Sequence, residues 1–351
     1  MKKFRIAVIA LASLLVVLGI FRFAPRMQKK INEAPSAPGA PPPLTSPAPG
    51  PAYGAVNVPV AILWSDPGPK REYDGHILGA VTDPAAWTGG MDTEMRLWLV
   101  DKAETQALFG ERLAILDRQG EWLKVAAVSQ KTRQNKLGYP GWLPAVQVSQ
   151  DPAYQSDAIS LPEVVITVPE TSLYRDPDLR EVLHEISYQT RLPLLGEEDR
   201  AFRVRLPDGG TGYLDRGYAK KSGELTLSTG GLVEQARQFT GLQYLWAGTS
   251  AYGFDCSGFT MRVYQSQCLT IPRDADEQAQ EGVPVVRENL LPGDLLFFAS
   301  KTGEGQIHHV GIYSGDGRMV HAPNSRSAVR EDPFSQGVYG EEYWGARRYR
   351  P

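Results

Sequence analysis

The stretch Phe254-Asp-Cys-Ser-Gly-Phe259 sets an acid, a thiol, a hydroxyl and a glycine directly before a helical pattern that continues to Gln267. A cysteine at a helix N-terminus meets unpaired N–H groups and the positive end of the helix dipole, and both favour the thiolate over the thiol. Cys256 is therefore a candidate nucleophile. The alternative is a small buried apolar residue, which is what most free cysteines are.

The chain has two cysteines, Cys256 and Cys268. If one helix carried both, their Cα atoms would stand roughly 18 Å apart, against about 4.4–6.8 Å in a disulfide. We therefore expect Cys256 to be free and Cys268 to pack in the core.

Three of the five histidines fall in a hairpin pattern, residues 307–321, whose turn is Ser314-Gly-Asp-Gly317. Side chains alternate along a strand, which puts His309 and Gly311 on one face and His308 on the other. The missing side chain of Gly311 would leave room for a facing helix.

The returning strand would bring His321 opposite His309 or one residue out of register, with the two imidazoles in reach of each other. Cysteine catalysis needs a base that takes the thiol proton and a third group that fixes the tautomer of the base. We predict His309 as the base for Cys256 and His321 as its orienting partner. A zinc site would need more thiols or a carboxylate among closely spaced ligands, so we expect no metal.

Six motifs follow one another in the C-terminal third: Tyr244-Leu-Trp-Ala-Gly248, Phe254-Asp-Cys-Ser-Gly-Phe259, Ile271-Pro-Arg-Asp274, Leu291-Pro-Gly-Asp-Leu-Leu-Phe-Phe298, His309-Val-Gly-Ile-Tyr313 and Val320-His-Ala-Pro323. In this order they resemble the NlpC/p60 family of papain-like cell-wall cysteine peptidases. The resemblance implies an α+β papain-like domain over residues 225–351, with Cys256 as nucleophile, His309 as base and His321 as orienter. Several family members carry glycine where this chain has Ala247.

The resemblance also implies which neighbours bind substrate: Tyr244, Asp255 and Ser257 would line the site. Alternatively, Tyr244 packs as a core aromatic residue and Asp255 caps the helix. Arg273 and Asp274 precede another helix and could cap it, but their position in the family puts them near the cleft.

Upstream, short β-like runs alternate with turns. The closing motif Gly138-Tyr-Pro-Gly-Trp-Leu-Pro144 resembles that of bacterial SH3-like barrels, and a weaker copy ends near Gly212-Tyr-Leu214. The expected fold class is therefore multidomain. Two all-β SH3-like barrels, residues 53–150 and 151–224, precede the α+β domain.

With this architecture the resemblance implies a hydrolase for the γ-D-glutamyl–L-diamino acid bond of peptidoglycan stem peptides, where the diamino acid is meso-diaminopimelate or L-lysine. It implies thiolate acyl-enzyme chemistry without a cofactor, on peptides with a free N-terminal L-alanine. Glu104 and Tyr139 of the first barrel are our candidates for binding that amine together with Asp255. Alternatively, both are surface turn residues and the barrel binds glycan.

The N-terminus begins with the basic run Met1–Arg5 and continues with the apolar run Ile6–Phe21, which predicts an export signal over residues 1–30. Sixteen helical residues span roughly 24 Å, less than a hydrocarbon core of about 30 Å, so a cleaved signal and a retained inner-membrane anchor both stay open. Residues 31–52 form a Pro/Ala-rich linker. The protein is expected in the periplasm or cell envelope.

Net charge is −3, and no basic run alternates with aromatics, so nucleic acid is not an expected partner. The expected partners are muropeptides. Two other functions fit the pattern: an amidase or acyltransferase on the same scaffold, and a non-catalytic wall-binding protein whose barrels do the binding.

Overall fold

The computed structural model describes residues 50–226 and 229–349. The expected signal or anchor at residues 1–30 and most of the linker at 31–52 lie outside the described residues. Within the described part, no helix has the length and apolar character needed to cross a membrane.

The first barrel is a seven-stranded antiparallel sheet. Its strands are β1 (Tyr53–Val56), β2 (Val60–Trp64), β3 (Ala103–Leu108), β4 (Arg112–Gln119), β5 (Trp122–Ala127), β6 (Tyr139–Pro144) and β7 (Val148–Ser149). They lie in the order β3-β2-β6-β5-β4-β1-β7.

Three short helices interrupt the first barrel: α1 (Gly75–Leu78), α2 (Pro84–Gly89) and α3 (Thr93–Leu97). The sequence pattern predicted only strands and turns here, so this part of the prediction was wrong. Asp83 and Asp92 cap α2 and α3, where their carboxylates accept backbone N–H groups from Ala86 and Met95 at 2.8 Å each. The apolar side chains of the helices, Trp87 among them, pack in a core that also contains part of the C-terminal domain.

The second barrel follows helix α4 (Pro152–Ser160). Its strands are β8 (Glu163–Ile166), β9 (Glu170–Tyr174), β10 (Val182–Ser187), β11 (Arg191–Glu197), β12 (Ala201–Arg205), β13 (Thr211–Asp215) and β14 (Ala219–Lys221). Their order is β10-β9-β13-β12-β11-β8-β14. This is the order of the first barrel with every strand number raised by seven, as an internal repeat requires.

The C-terminal domain packs helices against a six-stranded sheet. Its helices are α5 (Thr229–Arg237), α6 (Cys256–Gln265), α7 (Ala275–Gln278), α8 (Ser300–Gly303) and α9 (Gly337–Glu342). Its strands are the short pair β15 (Thr249–Ser250) and β16 (Gly253–Phe254), then β17 (Val283–Val285), β18 (Leu295–Ala299), β19 (Ile307–Gly315), β20 (Arg318–His321), β21 (Arg330–Pro333) and β22 (Tyr343–Arg348). The large sheet has the order β17-β22-β18-β19-β20-β21. This is the expected α+β arrangement.

One face of this sheet carries helix α6. Phe259 and Val263 of the helix share a buried core with Phe297, Val310 and Ile312 of the sheet. The helix therefore lies on β19 and β20, and its first residue, Cys256, comes to the edge of that core.

Both barrels dock on the C-terminal domain through buried polar contacts. Glu111, which directly precedes β4, pairs with Arg262 of α6 at 2.7 Å, and the Trp246 indole donates to a carbonyl of the first barrel at 3.0 Å. The Ser187 hydroxyl of the second barrel accepts the backbone N–H of Ala251 at 2.8 Å. These contacts hold both barrels against the C-terminal domain. The domain boundaries expected at residues 150 and 224 stay predictions.

Candidate active site

The motif around Cys256 forms a tight helix start. Asp255 is the N-cap of α6, and its carboxylate accepts the backbone N–H of Gly258 at 2.7 Å. A Cβ on Gly258 would lie 2.1 Å from the carbonyl oxygen of Gly248, so a larger residue cannot start the helix against this loop. The motif thus sets Cys256 at the first helical position, where its thiol is buried.

Burial, and next the Asp255 carboxylate, raise the pKa of the Cys256 thiol to about 12, although N–H groups of Val310 and Ser257 act in the opposite direction. The backbone N–H groups favour the thiolate, as expected of a helix N-terminus, but desolvation of the buried sulfur outweighs them. Val310 directly follows His309, so the strand that carries the candidate base borders the sulfur.

The prediction that Cys268 packs in the core was wrong. It is exposed and free, not packed in the core, because α6 ends at Gln265 and the chain turns outward at Cys268 with φ of 58°. Cys256 is free, as predicted.

The three histidines of the hairpin separate into a buried pair and an exposed residue. His309 Nε2 lies 2.7 Å from His321 Nδ1, and both rings are buried. His321 Nε2 in turn lies 3.2 Å from a carboxylate oxygen of Asp332 on β21. His308 is exposed and lies 3.1 Å from Glu342.

Asp332 was not predicted from the sequence. No motif contains it, and it reaches the site because β21 pairs with β20. A third strand predicted at residues 330–333 would have indicated Asp332, since an acid on that strand lies beside the strand of His321.

The register of the hairpin corrects the predicted position of His321. Ile312 pairs with Val320, and continuing this ladder sets His321 opposite Gly311, two residues from His309. A Cβ on Gly311 would lie 3.2 Å from the Cβ of His321. Gly311 therefore makes room for side chains of the neighbouring strand and not for a helix, because α6 packs on the other face.

Burial governs the charge of both imidazoles. It lowers the pKa of His321 to about 4, although the hydrogen bond to Asp332 raises it. Burial, followed by the neighbouring His321 and His308, lowers the pKa of His309 well below its ordinary value. Burial therefore favours the neutral form of the thiol and of both rings in the free protein.

A second residue that the sequence analysis missed, Tyr339 of α9, packs on this pair. Its ring stacks on His309 with a centroid distance of 5.7 Å and meets His321 edge-on at 5.1 Å. These contacts fix the planes of the two imidazoles.

A cleft of about 340 Å³ opens beside Cys256, between the first barrel and the C-terminal domain. All seven predicted substrate-binding residues line it, and their roles stay predictions. The barrel supplies two of them and the C-terminal domain supplies five: Glu104, Tyr139, Tyr244, Asp255, Ser257, Arg273 and Asp274.

Arg273 organises the floor of the cleft. Its guanidinium pairs with Asp255 at 2.6 Å, and donates to the hydroxyls of Ser257 at 3.0 Å and of Thr105 in the barrel at 2.9 Å. It is 1% exposed. Asp274 is the N-cap residue of α7, but its side chain does not cap the helix: it accepts the phenol of Tyr139 at 3.1 Å. Both residues therefore belong to the cleft.

Positive charge compensates the carboxylates at the barrel end of the cleft only in part. Burial, followed by the charges of Asp274 and Asp101, raises the pKa of Glu104. Burial also raises the pKa of Asp274, because the attraction of Arg273 does not outweigh burial and the repulsion of Asp255. Among the described residues no hydrogen bond is made to the Glu104 side chain. This end of the cleft therefore favours a cation.

Tyr244 fits both of its predicted roles, since its ring packs in the core and also lines the cleft. Burial, and next the nearby Cys256, raise the pKa of Tyr244, so its hydroxyl keeps its proton. Ala247 has φ of 64°, a left-handed conformation in which glycine costs less than alanine.

Metal ligation finds no support in residues 50–226 and 229–349, where no three His, Cys, Asp or Glu side chains are grouped to hold an ion.

Comparison with known proteins agrees with this geometry. The model of the NlpC/P60 family matches residues 241–348, and the model of the YKFC SH3b2 domain matches residues 166–220. A "Gamma-D-glutamyl-L-lysine dipeptidyl-peptidase" of Bacillus cereus is 41% identical over 302 residues, covering 84% of this chain and 90% of the relative. A Bacillus subtilis protein of the same name is 34% identical over 291 residues, covering 82% of this chain and 96% of the relative.

A crystal structure of an NlpC/P60 family protein from Bacillus cereus superposes with a TM-score of 0.82 at 40% identity, covering 85% of this chain and 100% of that one. The expected fold class and the resemblance stated from the motifs are confirmed. The chain belongs to the NlpC/P60 family of cysteine peptidases.

Proposed function

We propose that this protein hydrolyses the bond between the γ-carboxyl of D-glutamate and the following L-diamino acid in peptidoglycan stem peptides that have a free N-terminal L-alanine. The two relatives that match most of the chain are named for the γ-D-glutamyl-L-lysine bond. The diamino acid is L-lysine or meso-diaminopimelate.

The observation that carries this proposal is the charge of a cleft closed by the first barrel. Five carboxylates line it, those of Asp101, Glu104, Asp255, Asp274 and Asp276. Arg273 is the one permanent cation among the described lining residues. A substrate end with an ammonium and a single carboxylate, as in L-alanyl-γ-D-glutamate, complements this distribution.

In this proposal, Glu104, Asp274 and the hydroxyl of Tyr139 surround the alanine ammonium. Asp274 takes the place expected for Asp255, because Asp255 pairs with Arg273 at 2.6 Å whereas Asp274 contacts Tyr139. The α-carboxylate of the D-glutamate approaches Arg273, whose contact with Asp255 and Ser257 holds it at the floor. The γ-carbonyl then lies at Cys256, one residue away from the closed end. The diamino acid leaves on the open side.

The chemistry proceeds by proton transfer from Cys256 to His309 and attack of the sulfur on the γ-carbonyl carbon. The hydroxyl of Tyr244 and the backbone N–H of Cys256 would donate to the oxyanion. The imidazolium of His309 then gives its proton to the leaving amine, and an acyl-enzyme remains. Water, deprotonated by His309, attacks the thioester and releases the dipeptide and the free thiol.

Two other functions use the same scaffold: an amidase or acyltransferase acting at another wall bond, and a wall-binding protein with an inactive site. The buried set of Cys256, His309 and His321 favours catalysis over mere binding. Family membership supports a place in the cell envelope after export. Attachment to the membrane would depend on residues 1–30.

Product analysis tests the proposal. The protein is incubated with L-Ala-γ-D-Glu-L-Lys, with its meso-diaminopimelate counterpart and with intact muropeptides, and the products are weighed by mass spectrometry. The proposal predicts L-Ala-γ-D-Glu and free diamino acid from one or both tripeptides. Release of peptide from muramic acid would identify an amidase. No turnover, together with labelling of Cys256 by a thiol reagent no faster than that of free cysteine, would favour the binding protein.

A further inference from the structure

Asp332 lies at the end of a continuous chain of contacts that starts at the candidate base. His309 Nε2 meets His321 Nδ1 at 2.7 Å, and His321 Nε2 meets Asp332 Oδ2 at 3.2 Å. The same carboxylate oxygen accepts from Arg330 Nε at 2.7 Å. From these contacts we infer that Asp332 is a positioning residue, which fixes the tautomers of both histidines and thereby keeps His309 Nδ1 free to take the thiol proton. The inference rests on the proposed function for its catalytic consequence.

The donors and acceptors along these contacts determine where each ring proton lies. An ionised carboxylate can only accept, so His321 Nε2 carries the ring proton. Since His321 is neutral, its Nδ1 is then an acceptor, and His309 Nε2 must donate to it. The remaining nitrogen of a neutral His309, Nδ1, is left with a lone pair. A base needs that lone pair.

Without the carboxylate the chain can reverse. His321 Nδ1 would then donate to His309 Nε2, and the proton of His309 would move to Nδ1, where it blocks transfer from the thiol. When Asp332 is present, reversing the hydrogen bonds would leave the lone pair of His321 Nε2 facing the negatively charged carboxylate. Asp332 disfavours that state.

The surroundings of Asp332 keep it in the accepting form. Burial alone would raise its pKa, but the hydrogen bonds from Arg330 and His321 together lower it below the ordinary value. The ring of Tyr339 packs on both imidazoles and holds their planes whichever ring nitrogen carries the proton. Asp332 therefore decides the proton positions, while Tyr339 decides the ring orientations.

The test is Asp332→Asn in the full chain, because the amide has the same shape but can donate to His321 Nε2. Long-range ¹H–¹⁵N correlation spectra of the imidazoles show which ring nitrogen carries the proton, and variants at His76, His184 and His308 assign the other signals. We expect the Nε2–H tautomer for His309 and His321 in the native protein. In Asp332→Asn we expect an Nδ1–H population in both, and Asp332→Glu should restore the native tautomers.

For the proposed hydrolysis, Asp332→Asn should lower kcat on the order of 10²-fold with little change in KM. A wrong tautomer costs about 10⁴-fold where the carboxylate touches the base itself, and here one ring intervenes. Glu331→Gln is the matched control, because Glu331 neighbours Asp332 but bonds to Arg237 and Ser314. It should change neither tautomer nor kcat.

An Nδ1–H tautomer of His309 in the native protein, or identical tautomers in the native protein and Asp332→Asn, would overturn the inference. The spectra need no substrate. Failure of the native protein to cleave the tripeptide would therefore count against the proposed function alone, while the tautomers would still decide this inference.

Discussion

The carboxylate of Glu111 in the first barrel and the guanidinium of Arg262 in helix α6 form a buried ion pair at 2.7 Å, with side chains 6% and 3% exposed. The hydroxyl of Ser129 donates to the same carboxylate at 2.6 Å, and Arg262 also donates to the backbone of Thr249 at 3.1 Å. A pair satisfied in this way couples the barrel to the helix that begins with Cys256. The barrel therefore acts as a fixed wall of the cleft.

Glu111→Ala should lower the free energy of unfolding by about 3–5 kcal/mol, because it leaves the guanidinium of Arg262 buried without its partner. Equilibrium unfolding in urea measures the change. Glu181→Ala is the control, since its ion pair with Arg175 is 68% and 57% exposed and should contribute at most about 1 kcal/mol. Similar losses in both variants would mean that the buried pair does not hold the domains together.

The same pair should make docking sensitive to acid. Burial alone would raise the pKa of Glu111, but Arg262 and the hydrogen bonds from Leu108, Ser129 and Gln130 together hold it below the ordinary value. A lowered folded-state pKa stabilises the protein at pH values above the ordinary pKa, and this stability is lost as the pH falls through the lowered value. Comparing urea unfolding of the native protein and Glu111→Ala as a function of pH should show the difference between them shrinking in acid.

Cys256→Ala should remove nearly all activity, because losing a nucleophile can cost on the order of 10⁶ in turnover. Cys268→Ala should leave activity near normal, since Cys268 is exposed and lies outside the cleft lining. Rates on the tripeptide and mass-spectrometric detection of the acyl-enzyme measure both variants. A reversed result would mean that the wrong thiol has been identified.

His309→Ala should abolish acylation, with a loss of at least about 10³-fold, because the buried pair with His321 loses its base. His308→Ala should retain most of the rate, since His308 is exposed and contacts Glu342. Single-turnover acylation with equal protein and substrate concentrations compares the two. Equal losses would contradict the division of roles between these neighbours.

The cleft carboxylates should give the specificity for a free amine a distinct pH dependence. The raised pKa values of Glu104 and Asp274 mean that both take up protons at a higher pH than ordinary carboxylates do, and the protonated forms no longer attract an ammonium. The kcat/KM of the free peptide divided by that of the N-acetylated peptide should therefore fall as the pH is lowered. The titration of His309 affects both peptides equally and does not change this ratio. Glu104→Gln should weaken the pH dependence of this ratio. An unchanged pH dependence would show that Glu104 does not bind the amine.

Much of this architecture could be predicted because local patterns carry it. The cysteine motif fixes the start of α6 through Asp255 and Gly258, and the turn Ser314-Gly-Asp-Gly317 fixes the hairpin. The two barrels share one strand order, which the repeated closing motif indicated.

What escaped prediction depends on contacts between distant segments. Asp332 reaches His321 through a third strand without a motif, and Tyr339 reaches both histidines from a short helix that the sequence did not suggest. The raised thiol pKa of Cys256 likewise follows from burial by the whole domain, which a helix N-terminus alone does not reveal. Cys268 was misplaced because helix α6 ends before it.

The central claim is that the first barrel closes the cleft and selects a free N-terminal amine. It is tested most directly by kcat/KM for L-Ala-γ-D-Glu-L-Lys against the same peptide N-acetylated on alanine. Loss of one partner of a buried ion pair costs about 3 kcal/mol or more, so we predict a ratio of at least roughly 100. Tyr139→Phe and Glu104→Gln should lower this ratio. Equal kcat/KM values for the two peptides, or efficient release of peptides from intact sacculi, would contradict the claim.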